Sequence, residues 1–226
     1  MLKAVLFDLD GTLLNRDASV EAFINHQYDR LLNYLSHIPK EVYTKRFVEL
    51  DQRGYIWKDI VYTQLVEELN ITSLTAEELL NDYLLEFRNH CIAFSHLFDM
   101  LEDLKNQGLS LGIITNGFGH FQLHNIKALG IEQYFEVILI SEWEGIKKPN
   151  PEIFMRALSK LQVKPEESMF IGDHPVNDVE AAKKVGLIGV WKRDNTWDER
   201  TADYIIDELM EVPFIVRKYN LGNRNK

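Results

Sequence analysis

Two carboxylates two residues apart, Asp8 and Asp10, follow the apolar run Ala4-Val5-Leu6-Phe7 in the segment Asp8-Leu9-Asp10-Gly11-Thr12. A strand directs residues two apart to the same side. The spacing therefore predicts two acids crowded at the carboxyl end of a buried strand, where open α/β sheets bind ligands. Like charges that close cannot both ionise without a counter-charge, and an all-oxygen acidic cluster suits a hard cation such as magnesium. Three further polar segments each follow an apolar run. Leu111-Gly112-Ile113-Ile114 leads into Thr115-Asn116-Gly117, and Met169-Phe170-Ile171 leads into Gly172-Asp173-His174-Pro175-Val176-Asn177-Asp178. Between them, Val137-Ile138-Leu139-Ile140 is followed by Ser141-Glu142-Trp143-Glu144-Gly145 and then by Lys147-Lys148-Pro149. Together these segments offer carboxylates, a hydroxyl with an amide, and a lysine.

Such side chains need elements that bring them to one place. Strands are predicted near 4–8, 110–115, 137–140, 168–172 and 188–191, with Tyr204-Ile205-Ile206 as a short edge strand. From residue 109 onward strands alternate with helical segments, the pattern of a parallel sheet with crossover helices. Gly130 and Gly186 close two of those helices, and Pro151 opens another that carries Ile153, Phe154, Ala157, Leu158 and Leu161. Between Asp17 and Cys91 the chain reads as helix after helix. Val20, Phe23, Ile24, Leu31 and Leu35 recur behind a Ser19 cap, and Pro39 opens a second helix with Val42, Phe47 and Leu50. Ile60, Val61, Leu65 and Leu69 mark a third, and Thr75 with Glu78 forms a capping box for a fourth that carries Leu79, Tyr83 and Phe87. Ser95 is read as the cap of a helix through Leu97, Leu101 and Leu104 that stops at Gly108. Residues 220–226 read as a frayed polar tail. The expected architecture is an α/β, Rossmann-like parallel-sheet core made by residues 1–15 and 94–226, with an all-helical domain inserted at 16–93.

The four ordered segments resemble the four motifs of haloacid dehalogenase superfamily phosphohydrolases, and the resemblance covers nearly the whole chain. It implies magnesium-dependent hydrolysis of a small phosphate monoester, such as a sugar phosphate, a nucleoside monophosphate or phosphoglycolate, through an aspartyl-phosphate. It also makes the helical insertion a cap domain. By this resemblance Asp8 is the nucleophile, and Asp10 is the acid that later serves as base, with its backbone carbonyl on the metal. Asp8, Asp10 and Asp173 would then be the Mg2+ ligands, and Asp178 would orient a metal-bound water or Lys148. Thr115 and Asn116 would bind phosphoryl oxygens through hydroxyl and amide donors at the start of a helix. Lys148, the lysine directly before proline, would offset the charge on Asp8 and on the transferring group. His174 stands where the family often has a small polar residue. In the insertion, Arg53-Gly54-Tyr55-Ile56-Trp57-Lys58 reads equally as a substrate loop with Arg53 and Lys58 as its cations, or as a helix connection whose aromatics pack inward.

Composition narrows the partners. With 226 residues and 46% hydrophobic content the chain can bury a sizeable core, and 25 basic against 35 acidic side chains leave a formal charge of −10. That balance argues against a nucleic-acid polymer or an anionic membrane surface, so a small phosphorylated substrate must be met by local cations. One cysteine, Cys91, excludes an intrachain disulfide framework and points to a reducing cytoplasm. No apolar run approaches a bilayer-spanning length, and no secretory leader is evident at the N-terminus. Gly117-Phe118-Gly119 lacks the third glycine of a dinucleotide fingerprint, Gln122 standing there instead. His120 and His124 have zinc-compatible spacing but no third ligand nearby. The nearest alternative activity is a capped phosphomutase of sugar phosphates, which would pass the same aspartyl-phosphate to a sugar hydroxyl. A haloacid dehalogenase would have no use for Asp10. A phospho-accepting receiver module shares the residue types, but it is about half this length and has no helical insertion.

Overall fold

The computed structural model describes residues 1–197 and 202–222 of the chain. They form two compact units, Met1–Asn15 with Ala93–Lys226, and Arg16–Ile92. In chain order, strand β1 (Ala4–Phe7) precedes the helices α1 (Arg16–Arg30), α2 (Leu32–Leu35), α3 (Lys40–Asp51), α4 (Lys58–Glu68) and α5 (Ala76–Glu86) of the second unit. The first unit then resumes with α6 (Leu97–Asn106), β2 (Ser110–Thr115), α7 (Gly119–Ala128), β3 (Val137–Ile140), α8 (Ser141–Glu144) and α9 (Pro151–Leu161). It ends with β4 (Ser168–Gly172), α10 (Ala181–Lys184), β5 (Ile188–Lys192), β6 (Tyr204–Ile206) and α11 (Glu211–Gly222).

The six strands make one sheet in the order β3-β2-β1-β4-β5-β6, every pair parallel. This is the Rossmann-like architecture expected from the alternating segments. Both faces are covered, which is why β1, β2 and β4 read as continuous apolar runs rather than alternating ones. On one face Leu6, Ile114, Leu139 and Phe170 pack with Ile153, Phe154, Ala157 and Leu158 of α9. On the other, Phe7 meets Phe135 edge to face at 6.4 Å. Central β1 stops at Phe7, one residue short of the predicted strand, so Asp8 stands just past the strand end. Asn150 caps α9 by accepting from the Glu152 N–H at 2.9 Å, and Pro151 takes the first helical position.

Several local expectations are revised. The first helix begins at Arg16, not behind Ser19, whose buried hydroxyl accepts instead from the Ile92 N–H at 2.9 Å. Pro39 precedes its helix as the capping residue rather than opening it from within. His96, not Ser95, caps α6, with a left-handed backbone at φ 62°. Val42 and Ile60 are exposed. Asn220 is part of α11, and its side-chain oxygen accepts from the Leu2 N–H at 2.6 Å, so the predicted tail is ordered helix to Gly222. Its last four positions, 223–226, lie outside the described residues.

The helical unit has a core of its own built on Phe23, Tyr43, Phe47, Tyr62, Leu65, Leu79 and Tyr83. Its polar centre is Gln27, whose side-chain oxygen accepts from both the Tyr43 and Tyr62 hydroxyls at 2.9 Å, while its amide donates to Asp82 at 2.9 Å. Burial of both phenols holds their pKa values above the ordinary tyrosine value. Among the described residues, no helix is long and apolar enough to cross a membrane.

Candidate active site

The carboxyl ends of β1, β2 and β4 deliver Asp8, Thr115 and Asp173 to one rim of the sheet, and the loop after α8 adds Lys148. Lys148 is 3% exposed and donates to Asp8 Oδ1 and to Asp178 Oδ1, each at 2.6 Å. The second oxygen of Asp178 accepts from the His174 N–H at 3.0 Å. Asp178 lies in a π-helical turn, Pro175–Glu180, that follows β4 and runs into α10. That turn is capped by the His174 ring, whose Nδ1 accepts from the Val176 and Asn177 N–H groups at 3.1 Å. Burial lowers the pKa of His174, as expected for a ring nitrogen used as an acceptor.

Two glycines make room for the acids. At φ +83°, Gly11 brings its backbone against the Asp173 carboxylate, where any Cβ would overlap that group. Gly172 is met in the same way by Asp178. Lys192, buried on β5, donates to the Gly11 carbonyl at 3.2 Å and sits over the Phe94 ring, supporting the turn from beneath. The Trp191 indole donates to the Asp173 carbonyl at 2.7 Å.

Among the described residues, Asp8, Asp173 and Asp178 are the one group of three potential metal-ligating side chains whose donor atoms lie within 4.8 Å of one another. Burial raises Asp8 from 3.8 to about 7 against the pull of Lys148, with Asp178 and Asp10 adding to the rise. Burial likewise lifts Asp173 well above the carboxylate range, helped by Asp8 and Asp178. Burial works against the Lys148 ammonium, yet Asp178 and Asp8 together hold its pKa above the ordinary lysine value. Three carboxylates facing one ammonium leave a deficit of positive charge, and their hard oxygen donors are of the kind that hold magnesium.

The structure separates the two acids of the first motif. Asp10 is half-buried, and its carboxylate accepts from the Gln122 amide at 2.6 Å rather than joining the three-carboxylate cluster. No sequence pattern marks Gln122 except its misfit to a glycine motif, for a glutamine inside a helix carries no signal that points to a site. Asn116 also behaves differently from the expectation of a phosphoryl donor. Its side-chain oxygen accepts from the Lys148 N–H at 2.9 Å, and its amide donates to the Lys148 carbonyl at 3.0 Å. Thr115 is buried at the end of β2, with its hydroxyl 2.8 Å from the Gln122 amide. In the helical unit, Lys58 is 2% exposed and ion-paired with Asp51, which Arg16 also grips at 2.7 Å. Arg53 is partly exposed and pairs with Asp17 at 3.3 Å. His120 and His124 have ring centroids 6.4 Å apart and belong to no three-ligand group among the described residues.

An all-parallel sheet in this strand order, with its polar cluster at the carboxyl rim, is a doubly wound α/β enzyme fold. Residues 5–191 match the haloacid dehalogenase-like hydrolase family, and the chain belongs to it. Among its relatives, the glyceraldehyde 3-phosphate phosphatase of Pyrococcus furiosus is 31% identical, the alignment covering 97% of this chain and 95% of that protein. Pyrophosphatase PpaX of Oceanobacillus iheyensis is 27% identical, with 95% and 97% covered. A HAD phosphatase from Thermococcus onnurineus has a similar solved structure, with a TM-score of 0.68, 30% identity and coverage of 95% of this chain and 98% of the other.

Proposed function

We propose that this enzyme is a magnesium-dependent phosphatase of small phosphate monoesters that works through an aspartyl-phosphate on Asp8. The observation that carries the reading is the division of labour at the end of β1. Asp8 sits in the buried cluster with Lys148, whereas Asp10 is tied to Gln122 and kept out of it. A nucleophile and a proton donor require that separation, because a carboxyl committed to a cation cannot also carry a transferable proton. In the first step an Asp8 oxygen forms a bond to phosphorus while the bond from phosphorus to the ester oxygen breaks. The electron pair of the broken bond stays on the ester oxygen, which takes the proton of Asp10. In the second step Asp10, now a carboxylate, removes a proton from water as the water oxygen bonds to phosphorus, and the bond to Asp8 breaks with its pair returning to the carboxylate.

Lys148 neutralises Asp8 before attack and the transferring group during it. Asp178, with one oxygen on Lys148 and the other on the His174 N–H, fixes the ammonium in place. Asn116 serves that same lysine through its two bonds to the Lys148 backbone, and Thr115 provides the hydroxyl donor to the phosphoryl oxygens. Asp8, Asp173 and the Asp10 carbonyl would hold the magnesium ion, which when bound supplies the positive charge that the carboxylate cluster lacks. The unit Arg16–Ile92 is assigned as the cap. Within it Arg53 is retained as the substrate-contact candidate, and Lys58, buried on Asp51, is reassigned to holding the cap together.

The phosphatases among the relatives make a three-carbon sugar phosphate the first substrate to try, with a reducing cytosol as the setting. Phosphate release is measured from glyceraldehyde 3-phosphate, phosphoserine, pyrophosphate and p-nitrophenyl phosphate, with magnesium or with chelator. Turnover in magnesium, its loss in chelator, and a fall of about three orders of magnitude or more in Asp8→Asn are expected. Undiminished turnover by Asp8→Asn would overturn the assignment. Isomerised substrate without free phosphate would instead identify a mutase.

A further inference from the structure

Gln122, on α7, is 2% exposed, and its amide nitrogen is a meeting point of three acceptors. It lies 2.6 Å from Asp10 Oδ2, 2.8 Å from Thr115 Oγ1 and 3.3 Å from the Asn116 carbonyl oxygen. Its own oxygen accepts from the Asn125 amide at 3.3 Å. These partners determine which way the amide points. Turned over, its oxygen would face a carboxylate and a carbonyl oxygen, a repulsive arrangement in a buried place.

An amide has two N–H protons, and the two short contacts use both. In a protonated carboxyl the oxygen without the proton is the better acceptor, so the Gln122 N–H on Asp10 Oδ2 favours placing the transferable proton of Asp10 on Oδ1. Thr115 Oγ1 accepts from the same group, while its own O–H donates to the Asn116 carbonyl at 3.5 Å. One amide therefore ties the ends of β1 and β2, which the sequence separates by about a hundred residues, and sets the direction of the Asp10 carboxyl between them. We propose that Gln122 is a positioning residue for catalysis, orienting the Asp10 proton toward the departing ester oxygen. The proposal rests on Asp10 being the general acid.

Orientation of a proton donor matters most when the leaving group cannot depart without a proton. The test compares two esters: p-nitrophenyl phosphate, whose phenolate leaves unaided, and the alkyl phosphate that the wild type hydrolyses fastest. General acid catalysis is worth about 100- to 10,000-fold. Gln122→Met, which keeps the volume and removes the donor, is expected to lower kcat on the alkyl ester about 10-fold or more, since misaimed groups lose part of that factor. On p-nitrophenyl phosphate its kcat should stay within about threefold of wild type, with KM for both esters little changed, because the donor is not spent on ground-state binding. Gln122→Asn stays polar but withdraws the amide, and should show the same selective loss. In an Asp10→Asn background, adding Gln122→Met should leave the ratio of the two rates unaltered.

Equal losses on both esters, a rise in KM alone, or wild-type rates in both variants would overturn the proposal while leaving the phosphatase assignment standing. Failure of the underlying reading has a different signature. Either the wild type releases phosphate from neither ester, or Asp10→Asn itself loses no more on the alkyl ester than on p-nitrophenyl phosphate. Each result removes the acid that Gln122 would orient. Circular dichroism of each variant establishes that folded enzymes are being compared.

Discussion

Lys148 is held between two carboxylates with almost no exposed surface. Removing one partner from a buried ionic group leaves the others uncompensated and typically costs about 3–5 kcal/mol. Lys148→Met should therefore lower the stability of the metal-free protein by about that much, read as a drop in the urea midpoint in chelator. Adding Asp178→Asn should restore part of the loss, because one of the stranded charges is gone. An unchanged midpoint in Lys148→Met would show that the ammonium is not needed to hold the acids together. Asp8 was legible because it stands directly after an apolar run, whereas Lys148, before a proline, and Asp178, well past the end of β4, were legible only through their places in the family's ordered motifs. Asn116 was legible as a site residue, but its bonds to the Lys148 backbone were not, since both partners are ordinary polar groups until folding brings them together. Gln122 was illegible for the same reason. Its value lies in a contact across 112 residues that no local pattern encodes.

At the scale of elements, short-range signals translated well. The Thr75 hydroxyl accepts from the Glu78 N–H at 3.1 Å while the Glu78 carboxylate accepts from the Thr75 N–H at 2.8 Å, the reciprocal pair that the two residue types predicted. Losing such a cap costs about 1 kcal/mol, equivalent to about 2–4 °C in a chain of this size. Thr75→Ala should lower the melting temperature by that amount and leave kcat unchanged, because α5 belongs to the helical unit and carries no proposed catalytic group. A loss of activity without a change in melting temperature would contradict this separation of roles. Where the elements departed from expectation, tertiary partners outweighed local preference. Ser19 is a good cap by type, yet its hydroxyl is used on the Ile92 N–H. Helix α11 was missed because Pro213 near its start and polar residues near its end hide a short apolar face formed by Val212 and Val216.

Over the whole molecule, the strand order places the end of β1 at the centre of the sheet, so an acidic surplus is concentrated where the flanking strands bury it. The chain as a whole is acidic too, at −10, and contributes no distant positive field to relieve it. Protons and metal ions must then compete for the same oxygens. Asp8 rises from 3.8 to about 7 on burial, so between those values the folded metal-free protein holds a proton that the unfolded chain has released. By linkage, this site's contribution to stability falls as pH rises from about 4 to about 7 and is fully lost above that. Asp173, shifted in the same direction, adds to the effect. His90 and His174, whose pKa values are lowered mainly by burial, favour the folded state as pH rises. An absolute melting curve therefore mixes opposing contributions, and the difference between magnesium and chelator is the cleaner quantity. A cation binding deprotonated carboxylates stabilises the folded state by mass action, and does so more strongly once protons have left. The rise in melting temperature on adding magnesium should accordingly be larger at pH 8 than at pH 5.5, and it should shrink at both in Asp173→Asn. A rise of the same size at both pH values in the wild type would mean that the cation binds away from these carboxylates.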